Sequence, residues 1–195
     1  MGFSGSTPSP RRSAPLRLYV VLAQEDHPKA CTGRRLLRWG RVRQVPHEDS
    51  STSAPVVLDP YAPVPLSAAD REVARAGGLL VVDCSWNRLS DRGSFPGAEG
   101  RARRHGTHRR LPMLIATNPQ HYGRVAQLTT VEAFCAALSV LGRHEEAGTV
   151  IAGFAGGEEF LSVNRERLRR YQSASDASEV AAAEKSLFGG PAQES

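Results

Sequence analysis

Short apolar runs rich in β-branched residues recur through the first 117 residues of the chain. Four stand out: LRLYVVL at 16–22, PVVL at 55–58, LLVVD at 79–83 and MLIAT at 113–117. Each run is nearly continuous rather than alternating, which is typical of strands buried on both faces of a parallel sheet. The pattern therefore predicts a parallel sheet built from these four strands.

Helical patterns lie between some of these runs. The stretch TGRRLLRWG at 32–40 has a threonine start and a glycine stop. The stretch LSAADREVARAGG at 66–78 has Ser67 as a candidate N-cap and paired glycines at its end. Alternation of strand and helix predicts an α/β architecture.

The hydrophobic period changes in the last third of the chain. Apolar residues of LTTVEAFCAALSVLG at 128–142 fall on one helical stripe, and Thr129 with Glu132 has the spacing of a capping box. Further helical patterns follow at 145–154 and 160–171. We therefore expect a mainly helical second half.

Composition divides the chain into four segments. Residues 1–15 are rich in Ser, Pro and Gly and predict a flexible arm, followed by an α/β domain at 16–117 and a helical domain at 118–173. The Ser-, Ala- and Glu-rich stretch 174–195 is expected to be a flexible tail. No apolar run approaches the roughly 18 residues that a membrane-spanning helix needs, so we expect a cytoplasmic protein without membrane contact.

The three cysteines, at positions 31, 84 and 135, are too dispersed for a CxxC-type metal site. An odd and sparse set indicates a reducing compartment rather than a disulfide framework. We therefore expect no metal.

Positive charge is concentrated in arginine clusters. The segment RARRHGTHRR at 101–110 holds five arginines, and further clusters lie at 34–43 and 165–170. Such a run repels itself unless anions screen it, so we expect 101–110 to be an exposed loop. Arginine binds phosphate through its bidentate fork, which favours an RNA partner, although a merely solvated basic surface is the alternative.

Polar and aromatic residues follow each predicted strand. The segments are AQEDHPKACTG at 23–33, LDPYAP at 58–63, DCSW at 83–86 and TNPQHYG at 117–123. Ligands of parallel α/β sheets bind beyond the carboxyl ends of the strands, so these segments are expected to line one site. None is a GxGxxG or P-loop motif.

Within DCSW, Asp83 is a candidate to bind a cation or accept a proton, or else caps a turn. Trp86 can pack against a sulfonium or an adenine, or simply cover the end of the sheet. Cys84 has no histidine at a diagnostic spacing, so we expect it to pack. Thr130 lies at a helix start, whose N–H groups can bind a carboxylate.

With these residues assembled, the chain resembles the ribosomal RNA aminocarboxypropyltransferase family, which modifies a pseudouridine of small-subunit rRNA. The similar blocks are EDHPKACTGRRLL at 25–37, VVLDP with LSAADRE at 56–72, VVDCSW at 81–86 and RRLPMLIATNPQHYGRVAQLTTVEAFCAAL at 109–138. The resemblance covers about residues 16–173.

The resemblance implies a SPOUT-like fold with a trefoil knot and S-adenosylmethionine (SAM) bound between the two halves. It implies transfer of the 3-amino-3-carboxypropyl (acp) group to N3 of a modified or hypermodified pseudouridine during ribosome biogenesis, with release of methylthioadenosine. The partner is then small-subunit rRNA or a pre-ribosomal particle, and we expect a monomer.

The same resemblance implies the site residues. The cofactor-binding set is Thr32, Leu58, Pro60, Asp83, Trp86, Leu111 and Thr130, and the RNA-binding set is Arg34, Arg35, Arg103, Arg104, Arg109 and Arg110. In the site that the resemblance implies, Trp86 packs against the methyl group of SAM, Thr32 and Thr130 bind the acp carboxylate, and the backbone near Leu111 binds the adenine. Asp83 orients the cationic end of the donor or acts as the base, and with Trp86 forms the catalytic pair.

Two segments depart from the family pattern. Val125 and Ala126 stand where an aromatic residue often contacts the adenine, and FAGG at 154–157 replaces an aromatic-rich stretch. A SPOUT-like RNA methyltransferase using the same cofactor and a non-catalytic rRNA-binding assembly factor remain the alternatives.

Overall fold

The structure is a computed structural model that describes residues 14–22, 31–45, 54–83 and 105–189. Predictions that concern Cys84, Trp86, Arg103 and Arg104 fall outside these residues, as does the 1–15 arm up to residue 13.

A parallel five-stranded sheet forms the centre of the described structure. Its strands are β1 (Leu18–Leu22), β2 (Arg43–Gln44), β3 (Val56–Leu58), β4 (Leu79–Asp83) and β5 (Thr107–Arg109). Their order across the sheet is β2-β1-β4-β3-β5, and every pairing is parallel. The α/β architecture with a parallel sheet is therefore confirmed, and β4 lies in the middle of the sheet.

The prediction of a strand at 113–117 is wrong. The backbone there bonds mainly to helix side chains: Met113 N donates to Glu184, Ile115 N and O bond to Asn164, and Thr117 N donates to Glu132. Leu114 and Ala116 are buried, which explains the apolar run. The run is hydrophobic because helices cover it. Leu114 and Ala116 bond to the backbone of 123–126 around an isolated antiparallel bridge between Ile115 and Val125, and side chains satisfy the other backbone groups.

The fifth strand lies inside the segment expected to be an exposed loop. Thr107, His108 and Arg109 are half-buried and pair with β3. The expectation of an exposed loop is therefore wrong for this part of 101–110. Its charged side chains find partners in the protein, as described below.

Seven helices lie within the described residues. They are α1 (Thr32–Arg38), α2 (Arg71–Gly77), α3 (Thr130–Val140), α4 (His144–Ile151), α5 (Gly157–Val163), α6 (Arg165–Ser173) and α7 (Ala177–Phe188). The predicted capping box of Thr129 and Glu132 starts α3, and Ser67 forms another with Asp70 ahead of α2. In α1 the N-cap is Cys31 rather than Thr32. None of these helices is both long and apolar enough to span a membrane.

Helix α3 is the centre of the main hydrophobic core. Ten of its eleven residues are buried, with Phe134 and Leu138 fully enclosed. It packs against β4 on one side and against α1, α4 and α6 on the others. A helix that is apolar on all sides is expected at such a position.

Helix α7 corrects the expectation of a flexible tail from residue 174. Asp176 caps its start, and Val180 and Glu184 are buried. The Glu184 carboxylate accepts two hydrogen bonds from Arg110, each 2.7 Å long. The helical pattern of apolar residues is weak in this stretch. The reason is that the buried ion pair of Glu184, and not only an apolar stripe, holds α7 against the rest of the protein.

Candidate functional site

Asp83 ends the central strand β4 and faces the amino end of α1. It shares a face of the sheet with Leu79 and Val81, because alternate residues of a strand point the same way. Its Oδ2 accepts the backbone N–H of Gly33 at 2.9 Å and the thiol of Cys31 at 2.8 Å. Within the described part of the chain, no donor reaches Oδ1, so one carboxylate oxygen is anchored and the other is unpaired.

The Cys31 thiol links Asp83 to the first turn of α1. Its sulfur accepts the backbone N–H of Arg34 at 3.3 Å while the thiol faces Asp83. Burial, and then the charge of Asp83, raise the pKa of Cys31 to about 12. Because the thiol stays protonated at neutral pH, it donates to the carboxylate instead of repelling it.

Gly33 allows this close approach. A Cβ atom at position 33 would lie 2.1 Å from Oδ2 of Asp83. Any side chain here would displace the carboxylate, so glycine is required by contact rather than by backbone conformation.

Thr130 is the first residue of α3 and is buried. Its position is fixed by the neighbouring Glu132, whose carboxylate is 3% exposed. That carboxylate accepts hydrogen bonds from five groups, at 2.7–3.0 Å, belonging to Thr117, Asn118 and Thr129. Glu132 therefore fastens the loop that follows residue 116 to the start of α3.

The sequence pointed to only part of this role. The Thr-x-x-Glu spacing predicts a capping box between Thr129 and Glu132, which is found. It carries no information on Thr117 or Asn118, which are 15 and 14 residues away from Glu132 along the chain.

A chain of contacts joins the Asp83 side of the site to the Thr130 side. Arg35, one turn beyond Thr32 and Gly33, donates to the carbonyl of Gly153 at 2.9 Å. Three residues later, Gly156 accepts the hydroxyl hydrogen of Thr117 at 2.9 Å. Thr117 in turn bonds to Glu132, so both ends of the predicted site belong to one contiguous contact network.

Leu58 ends β3, Pro60 follows two residues later, and Leu111 comes two residues after the end of β5, the strand paired with β3. Leu58 is paired in register with Arg109, and the backbone N–H of Asp59 donates to the carbonyl of Arg109. Pro60 is exposed, and Leu111 packs half-buried against the main core.

The segment around Leu111 is held from the other side by α7. Glu184 binds the Arg110 guanidinium and also accepts the N–H of Met113 at 2.8 Å. Tyr171 donates its hydroxyl to the carbonyl of Met113, and burial raises the pKa of this tyrosine. The backbone expected to hold the adenine is therefore fixed by later helices.

The predicted RNA-binding arginines differ in their surroundings. Arg109 pairs with buried Asp70 at 2.9 Å, and Arg110 pairs with Glu184, which raises the pKa of Arg110. Arg35 lies over Trp39, 4.3 Å from the ring centre, and over Phe154, at 4.7 Å. Arg34 is exposed.

One further pair was missed by sequence reasoning. Nδ1 of His108 lies 2.8 Å from Oδ2 of Asp59, joining β5 to the carboxyl end of β3. The residues are 49 positions apart, so no short motif could have shown the contact. Across the described ranges, no group of three or more His, Cys, Asp or Glu side chains is placed to hold a metal ion.

Comparison with known proteins places the chain among its relatives. Residues 56–188 match the family model described as "Ribosome biogenesis protein, C-terminal". A relative from Methanopyrus kandleri, named 16S rRNA aminocarboxypropyltransferase, is 42% identical over 84% of this chain and 93% of its own. A relative of the same name from Halobacterium salinarum is 39% identical over 89% of this chain and 97% of its own.

A solved structure shows the same architecture. The SAM-dependent rRNA:acp-transferase Tsr3 from Vulcanisaeta distributa superposes with a TM-score of 0.75 and is 32% identical. The superposition covers 89% of each chain. The chain therefore belongs to the family of 16S rRNA aminocarboxypropyltransferases.

Proposed function

We propose that this protein transfers the acp group of SAM to N3 of a modified pseudouridine in small-subunit rRNA and releases methylthioadenosine. The observation that carries the proposal is the Asp83 carboxylate at the end of the central strand, with one oxygen anchored and the other unpaired among the described residues. Relatives named for this activity match most of the chain and support the same reaction.

The residues present fit such a donor. Its sulfonium and ammonium groups are cationic, and Asp83 offers an anionic oxygen at the strand end where ligands of parallel sheets bind. The donor's carboxylate needs hydrogen-bond donors, which Thr32 and Thr130 supply from the first residues of two helices. Leu58, Pro60 and the backbone at Leu111 provide the apolar and backbone contacts for its remaining parts.

SAM supplies an electrophilic methylene next to a positively charged sulfur. The new bond joins N3 of the uracil to that methylene, the carbon–sulfur bond breaks with its electron pair on sulfur, and the N3 proton leaves. The contribution of this chain is positioning: the site must present the methylene and bury the methyl group. Asp83 orients the cationic end in this proposal, and its unpaired oxygen is also the candidate acceptor of the N3 proton.

The RNA side of the proposal rests on exposed positive charge. Arg34 lies at the start of α1, close in sequence to both Thr32 and the Cys31–Asp83 contact. Together with Arg35 and the arginines of 101–110, it is proposed to bind the RNA backbone. Arg109 and Arg110 already hold internal partners, so removing them is expected to weaken the fold as well.

We extend the proposal to a SPOUT-like fold with a trefoil knot. The backbone of 113–117 is bonded by side chains of Glu132, Asn164 and Glu184, which all come later in the chain. A knot requires the chain to pass through one of its own loops, and the family resemblance, rather than these contacts alone, is what supports this extension. The protein is proposed to act as a cytoplasmic monomer.

Labelled SAM tests the reaction. Purified protein is incubated with unmodified small-subunit rRNA and SAM labelled either in the carboxyl carbon or in the methyl group. We expect only the carboxyl label to enter the RNA, and Trp86→Ala or Asp83→Ala to reduce it at least tenfold. Entry of the methyl label alone would make the protein a methyltransferase, and no label from either would favour an RNA-binding assembly factor.

A further inference from the structure

The oxygen of Asp83 that is anchored receives both of its hydrogen bonds from the first turn of α1. The Cys31 thiol and the Gly33 N–H reach the same Oδ2, at 2.8 and 2.9 Å. Two donors on one oxygen fix both the position of the carboxylate and the direction in which its other oxygen points. With only one donor, the carboxylate would be held less firmly against rotation about its last bond.

The thiol has a second hydrogen bond that orients it. Its sulfur accepts the N–H of Arg34, so the S–H hydrogen is left to point at Asp83. Cys31 is also the N-cap of α1, a position where Ser, Thr, Asp and Asn are the usual residues. An aspartate there would cap the helix well, but its carboxylate would repel that of Asp83.

We propose that Cys31 and Gly33 are positioning residues, which aim the second oxygen of Asp83, Oδ1, at the cationic end of the donor. The proposal rests on the proposed function, since it deepens the role given there to Asp83. Cys31 supplies the neutral donor, and Gly33 supplies the N–H and the space, because a Cβ would lie 2.1 Å from Oδ2.

Titration calorimetry with SAM alone tests the proposal on three variants. Cys31→Ala removes the thiol donor, and we expect SAM to bind about tenfold more weakly, the size of a lost hydrogen bond to a charged group. Cys31→Ser keeps a donor and a helix cap, so its affinity is expected to stay within about threefold of the wild type. Gly33→Ala displaces the carboxylate, so its affinity is expected to fall at least as far as that of Cys31→Ala.

The Gly33→Ala variant separates positioning from stability. Alanine has the higher helix propensity, so it favours α1 itself while disturbing Asp83. Cys135→Ala is the matched control: this cysteine is buried in α3, away from the Cys31–Asp83 contact, so its loss is expected to lower stability without changing SAM affinity. Thermal unfolding of each variant is measured beside the titration.

The outcomes are distinct for the two proposals. Wild-type affinity in Cys31→Ala or Gly33→Ala would overturn the positioning role, as would a loss in Cys31→Ser equal to that in Cys31→Ala. Failure of the wild type to bind SAM would overturn the proposed function and this inference with it. SAM binding without acp transfer would contradict the proposed reaction alone, because the affinity series needs no RNA.

Discussion

At the residue scale, Glu132 is the polar group on which the local structure depends most. Its buried carboxylate satisfies five donors from three residues, and no cationic side chain is bonded to it within the described ranges. Backbone N–H groups and the amino end of α3 stabilise its charge instead. This explains how the loop after 116 is held where an isolated bridge between Ile115 and Val125, rather than a full strand pair, flanks it.

Replacing Glu132 with alanine is therefore expected to be costly. The donors of Thr117, Asn118 and Thr129 would be left buried without their acceptor, so the free energy of unfolding should fall by about 3 kcal/mol or more. Urea unfolding measures it. The matched control Glu158→Ala, at an exposed position of α5, should change it by less than about 0.5 kcal/mol. An equal effect of the two variants would refute the role given to Glu132.

Cys135 gives a prediction for alkaline pH. Burial raises the pKa of its thiol from 9.0 to about 12. Below pH 9 the thiol is protonated in both the folded and the unfolded state, so its contribution to stability is complete there. As the pH rises from 9 towards 12, only the unfolded state loses the proton, and stability falls by at most roughly 1.4 kcal/mol per pH unit.

The measurement is urea unfolding of the wild type and Cys135→Ala at pH 8, 9 and 10. The alanine variant lacks this titration, so the stability difference between the two proteins should narrow as the pH rises above 9. A difference that stays constant across the series would show that the thiol ionises equally in both states.

At the element scale, α7 is a structural part of the predicted cofactor site. Its Glu184 holds Arg110 and the N–H of Met113, on either side of Leu111. Pairing of this kind is strong when one partner is buried, because breaking it leaves an uncompensated charge. Helix α7 therefore supports the segment expected to contact the adenine.

Glu184→Gln tests this coupling. We expect the free energy of unfolding to fall by about 2–4 kcal/mol, because the Arg110 guanidinium loses its buried charged partner. SAM affinity should fall with it, because the backbone at Leu111 is loosened. The exposed Glu179→Gln in the same helix changes a capping contact only and serves as control. Unchanged SAM affinity in a destabilised Glu184→Gln protein would refute the link to the site.

The elements also show what the sequence could and could not predict. The strand containing LLVVD and helix α3 have strong hydrophobic patterns and are predicted well, because an element that is buried on all sides consists of nearly continuous apolar residues. The segment 113–117 has an equally continuous run of apolar residues but is not a strand. Such a run shows that a segment is buried, but it does not show which groups its backbone bonds to. The pairing of Glu184 with Arg110 joins residues 74 positions apart, which no local pattern encodes.

The candidate site likewise has residues that the sequence could predict and residues that it could not. Asp83 is a candidate from the sequence because a carboxylate at the end of a strand can bind a cation or accept a proton, and the strand end is where the structure places it. Cys31 and Gly33 were part of the resembling block but received no role, because their contact with Asp83 depends on how α1 folds back over β4.

At the scale of the whole molecule, the positive charge is not one uniform RNA-binding surface. Arg109 and Arg110 hold internal carboxylates, whereas Arg34 is exposed. Arg34→Ala is expected to reduce the slope of log affinity against log salt for rRNA by about 0.7–0.9, the value of one phosphate contact. Fluorescence anisotropy with a labelled rRNA fragment at several salt concentrations measures it.

Arg110→Ala is the contrasting variant. It should lower the unfolding free energy, because Glu184 loses its partner, and leave the salt slope closer to that of the wild type. The distinction fails if Arg34→Ala leaves the slope unchanged while Arg110→Ala reduces it.

The leaving group tests the central claim most directly. When unmodified rRNA, SAM and the protein react, chromatography of the small molecules distinguishes methylthioadenosine from S-adenosylhomocysteine. Transfer of the acp group predicts methylthioadenosine in equal amount to the modified nucleotide and no S-adenosylhomocysteine. Accumulation of S-adenosylhomocysteine instead would contradict the account, because it would mean that the methyl group, not the acp methylene, faces the RNA.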